Sequence, residues 1–212
     1  MIVVNFKAYS QSTGEEAEKL ARECEKAMQE TGKKIVVAPS APDLLRTEGL
    51  EPETFSQHFD PVGAGSHTGS TNLEEVAAAG AEGTLLNHSE QRMEEERLEK
   101  AVEKAREAGL TTVVCAQDPE ECGRFSRFNP DFIAYEPPEL IGGEVSVSEA
   151  KPELIEEAVE KSEAPVLTGA GIKKTEDVRK SIKHGCEGVL VASGVVKADK
   201  PREELKELAK GL

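Results

Sequence analysis

Three side chains in this chain are of the kinds that move protons or stabilise developing negative charge, and each follows a short apolar run: Lys7, His88 and Glu136. Glu136 comes after Phe132-Ile133-Ala134-Tyr135 and before Pro137-Pro138, which cannot donate ladder hydrogen bonds and so end an extended segment. Farther on, Ile141-Gly142-Gly143 supplies a second hinge. A carboxylate at the C-terminal end of a strand, under a hinged loop, suits a base beneath a lid; a surface glutamate ahead of a turn fits the same string. Asn5 and Lys7 stand two apart, on one side of an extended chain. There the ammonium would meet an anionic substrate with Asn5 orienting it, the alternative being a solvated lysine at a strand end. In Asn87-His88-Ser89-Glu90 the imidazole stands where a helix N-terminus is expected, which disfavours its cationic form and leaves a neutral donor for a carbonyl oxygen. Glu90 either reaches Lys7 or caps that helix. His58, His67 and His184 lack such a setting and are expected to be structural.

Two glycine clusters, Thr168-Gly169-Ala170-Gly171-Ile172 and Ala192-Ser193-Gly194, follow the last two apolar runs. Such turns let backbone N–H groups approach an anion, although either one alone also suits an ordinary strand-to-helix turn.

To bring these groups together the chain must fold them onto one face. Eight short apolar runs recur: Ile2–Asn5, Ile35–Ala38, Phe55–Phe59, Gly83–Leu86, Thr111–Cys115, Asp131–Tyr135, Pro165–Leu167 and Gly188–Val191. Between them lie charged segments of helical period: Gly14–Glu30, Pro42–Glu48, Leu73–Ala79, Met93–Ala108, Pro119–Phe125, Glu149–Lys161, Thr175–His184 and Arg202–Lys210. Thr175 stands where an N-cap would, and Gly32, Gly80, Gly109 and Gly185 stand where helix-ending glycines would. Eight alternating units predict an α/β protein, a (β/α)8 barrel forming one domain over residues 1–212, in which chemistry gathers at the C-terminal ends of the strands. A doubly wound sheet is the alternative, but the first run ends in Asn5-Phe6-Lys7, not in a glycine-rich dinucleotide turn. The third and fifth units are weak, so one or two outer helices are expected to be reduced.

The chain has 212 residues and a net charge of −15 from 41 acidic and 26 basic residues, which disfavours nucleic-acid partners. Cys24, Cys115, Cys122 and Cys186 form no paired motif and are expected to be reduced thiols. No apolar stretch approaches the ~20 residues needed to cross a bilayer, so no membrane partner is expected and the cytoplasm is the expected compartment.

Taken in order, Asn5-Phe6-Lys7, Asn87-His88-Ser89-Glu90, Ala134-Tyr135-Glu136-Pro137 and Val191-Ala192-Ser193-Gly194 resemble the triosephosphate isomerase family along almost the whole chain. The short length, the Pro137–Gly142 lid and the Gly169-Ala170-Gly171 turn resemble its archaeal branch. The (β/α)8 barrel bears this family's name. The resemblance implies interconversion of dihydroxyacetone phosphate and D-glyceraldehyde 3-phosphate in glycolysis and gluconeogenesis, with no metal or organic cofactor. It implies Glu136 as the base, His88 as the electrophile, and Lys7 beside Asn5 offsetting charge on an enediolate. It also places substrate against Asn5, Phe6, Lys7, Ile141, Gly142, Gly171, Ala192, Ser193 and Gly194. A homodimer or homotetramer is implied, with Thr68, in Gly65–Ser70, reaching a neighbouring subunit. The chain departs from the family's G-T-G lid end, which here reads Gly142-Gly143-Glu144. Phe6 replaces a tryptophan. Two rival readings, a sugar-phosphate epimerase and a non-catalytic barrel, are disfavoured because all four motifs and the three reactive side chains are present.

Overall fold

A computed structural model describes residues 1–141 and 146–212. Eight parallel strands pair in chain order: β1 (Ile2–Asn5), β2 (Ile35–Ala38), β3 (Glu53–Ser56), β4 (Gly83–Leu86), β5 (Thr111–Ala116), β6 (Phe132–Tyr135), β7 (Val166–Thr168) and β8 (Gly188–Val191). β1 also pairs with β8, Val3 opposite Leu190, and this closes the barrel.

Strands such as β1, β2 and β8 are buried on both faces, which is why they read as apolar runs and not as alternating ones. Val3, Val36, Phe55, Leu85, Ala134 and Leu167 point into the barrel, while Ile2, Val4 and Phe6 point outward into the layer beneath the helices. Each large side chain buried in this way contributes about 1.5–3 kcal/mol. The same two-residue period puts Asn5, the last residue of β1, above Val3 and, one residue past the strand ends, Glu136 above Ala134 and Gly169 above Leu167.

The outer layer consists of α1 (Glu15–Thr31), α2 (Leu73–Ala78), α3 (Glu95–Glu107), α4 (Pro119–Ser126), α5 (Val147–Ala150), α6 (Pro152–Lys161), α7 (Thr175–Lys183), α8 (Ser193–Val196) and α9 (Pro201–Ala209). In α1, Ala17, Leu20, Ala21, Cys24 and Ala27 form the buried stripe of an amphipathic helix. Glu30 at its end pairs with Arg202 (2.8 Å) and Lys206 (3.0 Å) of α9. Gly32, Gly80, Gly109 and Gly185 all take positive φ at helix ends, as expected.

Three expectations are corrected. The third strand lies earlier, at Glu53–Ser56: Phe55 fills the barrel interior and Ser56 Oγ donates to Thr84 Oγ1 (2.8 Å), whereas Phe59 has already turned out to the helical layer. Two outer connections are reduced, within the expected number: that of the third unit, where α2 has six residues, and that after β2, a 3₁₀ turn over Ala41–Arg46. The fifth unit has a proper helix, because Asp118 accepts from Glu121 N (2.7 Å) and Pro119 starts the first turn. At α7 the cap is not Thr175, whose hydroxyl donates to Glu207 O (2.7 Å). The buried Asp177 carboxylate caps this turn from within, accepting from Lys173 N (3.0 Å) and Lys174 N (2.9 Å).

Candidate active site

The pocket at the C-terminal ends of the strands, with about 500 Å³ of empty space open to solvent, is lined by Asn5, Lys7, His88, Glu136, Ile141, Gly171, Ala192, Ser193 and Gly194. Tyr9, Ala170, Ile172, Lys173, Leu190 and Val191 complete its wall.

Glu136 is nearly buried, and its Oε2 has no hydrogen-bond partner among the described residues. Burial pushes its carboxyl above the ordinary glutamate range, opposed first by the neighbouring His88 and then by the charge on Lys7. Its backbone is anchored by a bond from Glu136 N to Ala116 O (2.8 Å). The Cys115 thiol lies close by and is pushed well up by its own burial and by Glu136.

His88 Nε2 faces Glu136 Oε2 at 3.6 Å. No helix begins at His88; α3 starts at Glu95, and the Ser89-Glu90 turn takes its place, closed by Gln91 N donating to His88 O (2.8 Å). That turn still fixes the ring, because Glu90 N donates to His88 Nδ1 (3.1 Å), so Nδ1 is unprotonated and the remaining proton sits on Nε2, pointed at the pocket. Asn87, at φ +61°, brackets the loop by donating to Cys115 O (2.9 Å) and accepting from Met93 N (3.0 Å). Arg92 then locks it to α4 with a two-pronged pair to the buried Glu121, 3.0 and 2.5 Å.

Lys7 does not continue the extended strand: its φ is +51°, a strained conformation for a residue with a side chain. Asn5 Oδ1 accepts from Lys7 N (3.0 Å), and the Gln57 amide donates to Lys7 O (3.1 Å) and Ala38 O (2.9 Å), holding the strained turn from both sides. The Lys7 ammonium pairs with Glu90 Oε1 at 2.8 Å, the first of the two roles the sequence left open for Glu90.

Phe6 does not reach the pocket. It is fully buried in the outer layer because the two-residue period that turns Asn5 inward turns Phe6 outward. Gly142 lies outside the described residues. Gln57, Tyr9 and Lys173 carry no motif that marks them in sequence, though Lys173 does follow the second glycine of its cluster by two positions. Gly169, which sequence groups with the anion-binding glycines, instead makes room for a carboxylate: a Cβ there would lie 2.3 Å from Glu136 Oε1.

A family model described as triosephosphate isomerase matches residues 1–210. The triosephosphate isomerase of Methanothermus fervidus is 46% identical over 214 residues, covering 98% of this chain and 96% of that one. That of Methanocaldococcus jannaschii is 41% identical over 216 residues, covering 99% of both. The crystal structure of triosephosphate isomerase from Bartonella henselae superposes with a TM-score of 0.73 over 92% of each chain at 19% identity, a likeness of fold. By the extent of the family match and the identity to these relatives, the chain belongs to the triosephosphate isomerase family.

Proposed function

We propose that this chain interconverts dihydroxyacetone phosphate and D-glyceraldehyde 3-phosphate, serving glycolysis and gluconeogenesis, with Glu136 as the base and neutral His88 as the electrophile. The observation that carries the assignment of roles is the facing of Glu136 Oε2 and His88 Nε2 in one pocket with Lys7.

In this reading Glu136 takes a proton from the carbon beside the substrate carbonyl. The His88 Nε2–H and the Lys7 ammonium stabilise the enediolate oxygens, and Glu136 returns the proton to the adjacent carbon. Each positioned donor of this kind is worth about 2.7–4 kcal/mol, and a positioned base about 10²–10⁴-fold. Asn5 acts by holding the Lys7 turn. Ile141, Gly142, Gly171, Ala192, Ser193 and Gly194 receive the phosphate. A coupled assay on the purified chain tests the whole reading: turnover of glyceraldehyde 3-phosphate is expected, and its absence sinks it.

The pH dependence follows from the burial of Glu136. Its raised carboxyl places the acid limb of kcat/KM above the ordinary glutamate value of about 4.3, with activity rising as pH carries Glu136 into its ionised form. Folding stability has the opposite sign: the folded chain keeps a proton that the unfolded chain has released, so this group's contribution falls as pH rises through the raised value. A kcat/KM profile, with titration of the substrate's phosphate divided out, checks the first claim; an acid limb at or below the ordinary range contradicts it.

Residues 1–212 are proposed to act as one domain, of the short archaeal type, in the cytoplasm; the closure of β1 on β8 and four free thiols support this. The assembly is proposed to be a homodimer or homotetramer. The loop around Thr68 is exposed, and beside the catalytic pocket a cleft lined by Asn5, Lys7, Gln57, His58, His88 and Glu90 is open to receive such a loop from a neighbour. Sedimentation with activity measured across a dilution series should show activity lost with dissociation; a fully active monomer would refute the assembly.

A further inference from the structure

We infer that Lys173 adds a second full positive charge, beside that of Lys7, to recognition of the substrate's phosphate, a reading that rests on the isomerase function proposed above. The charges around the reacting carbons do not balance a phosphorylated substrate. Lys7 and Lys173 are the two lysines lining the described pocket. The charge of Lys7 is matched by Glu90 at 2.8 Å, and Glu136 must be ionised to act as a base. One positive and two negative charges leave that half of the site at about −1, in a chain of net charge −15. A phosphate monoester brings a further −1.5 to −2 or so at neutral pH. Backbone N–H groups offer it only partial charges, so a full positive charge at the phosphate end alters the balance most.

Lys173 stands at that end. Its backbone N–H is held by Asp177 Oδ2 (3.0 Å), while Asp177 Oδ1 accepts from Ser146 Oγ (2.8 Å), so the root of the side chain is fixed by a buried carboxylate. Its stem runs alongside the turn after β8: a Cβ added to Gly194 would lie 3.5 Å from Lys173 Cγ. The stem thus lies on the wall that contains Gly171, Ser193 and Gly194, within a lysine's reach of a phosphate seated there. An ammonium is a compact point charge with three donors, well suited to phosphate oxygens. Lys173 is exposed, so its effect is screened by salt, and that screening is itself a signature.

The test uses the full chain and inorganic phosphate as the probe, measured both by calorimetric titration and as a competitive inhibitor, at low and at near-physiological salt. Lys173→Gln is expected to weaken phosphate binding about tenfold and Lys173→Glu about a hundredfold, with Lys173→Arg near wild type. kcat/KM for glyceraldehyde 3-phosphate should fall in the same ratio, chiefly through KM, and its salt dependence should flatten. Lys174→Gln removes the same charge from the next residue, which does not line the pocket, and should change none of these readouts. Unchanged phosphate binding in Lys173→Gln and Lys173→Glu, or an equal loss in Lys174→Gln, overturns the inference, as does a wild-type chain that binds no phosphate. A wild type that binds phosphate through Lys173 yet turns over no triose phosphate overturns only the isomerase reading.

Discussion

Glu136→Gln is expected to lower kcat by about 10³–10⁴-fold, near the upper end of what a positioned base supplies, while the barrel becomes more stable. Both effects have one cause. The carboxylate is nearly buried, its Oε2 lacks a partner among the described residues, and burial raises its proton affinity. At neutral pH the folded chain therefore holds an ionised group that would be better solvated in the unfolded chain. The neutral amide keeps the shape and removes that cost, but it cannot accept a proton. Glu136→Asp keeps the charge and withdraws it by about one methylene, for which a loss of about 10²-fold is expected from misplacement alone. Turnover and thermal midpoint measured on the same preparations decide the matter. Retained activity in the glutamine variant would remove Glu136 from its role; a lowered midpoint would mean that the carboxylate is held by contacts stronger than its burial cost.

Strand positions were largely legible because a barrel buries both faces of each strand, so Ile2–Asn5, Ile35–Ala38, Gly83–Leu86 and Gly188–Val191 announce themselves as apolar runs with the bounds the structure gives them. Phe55–Phe59 misled because two phenylalanines four apart belong to different layers, one inside the barrel and one under the helices. The reactive groups were legible by type and by position after a strand. Of their supports, Asn5 and Glu90 beside Lys7 were legible from the motifs; those that depend on distant partners outside any motif were not. The neutral tautomer of His88 comes from a turn N–H and not from a helix, a difference that no spacing rule distinguishes. Gln57 sits 50 residues from the Lys7 carbonyl it holds, and Arg92 is 29 residues from Glu121. Phe6, grouped with Asn5 and Lys7 by the family resemblance, has its side chain turned into the outer layer by the two-residue period of the strand.

Gly169→Ala is expected to cost about 10²-fold in kcat with little change in KM, although it adds a single methyl group at a position where the backbone accepts any residue. The added Cβ would lie 2.3 Å from Glu136 Oε1, 2.5 Å from Cγ and 2.6 Å from Cδ, all far inside contact distance. The backbone cannot retreat, because Gly169 N is bonded to Tyr135 O at 2.9 Å and so moves with the strand that carries Glu136. The side chain that yields is therefore the carboxylate, and a displacement of about 1 Å is enough to lose roughly 10² in rate. The phosphate end is built from other residues, so binding should survive. A double-mutant cycle separates this account from general damage to the loop: Glu136→Asp gives back about one methylene of space, so the further penalty of Gly169→Ala should shrink in that background. Strict additivity of the two losses, with the fold intact by circular dichroism, would mean that the glycine serves the turn and not the base.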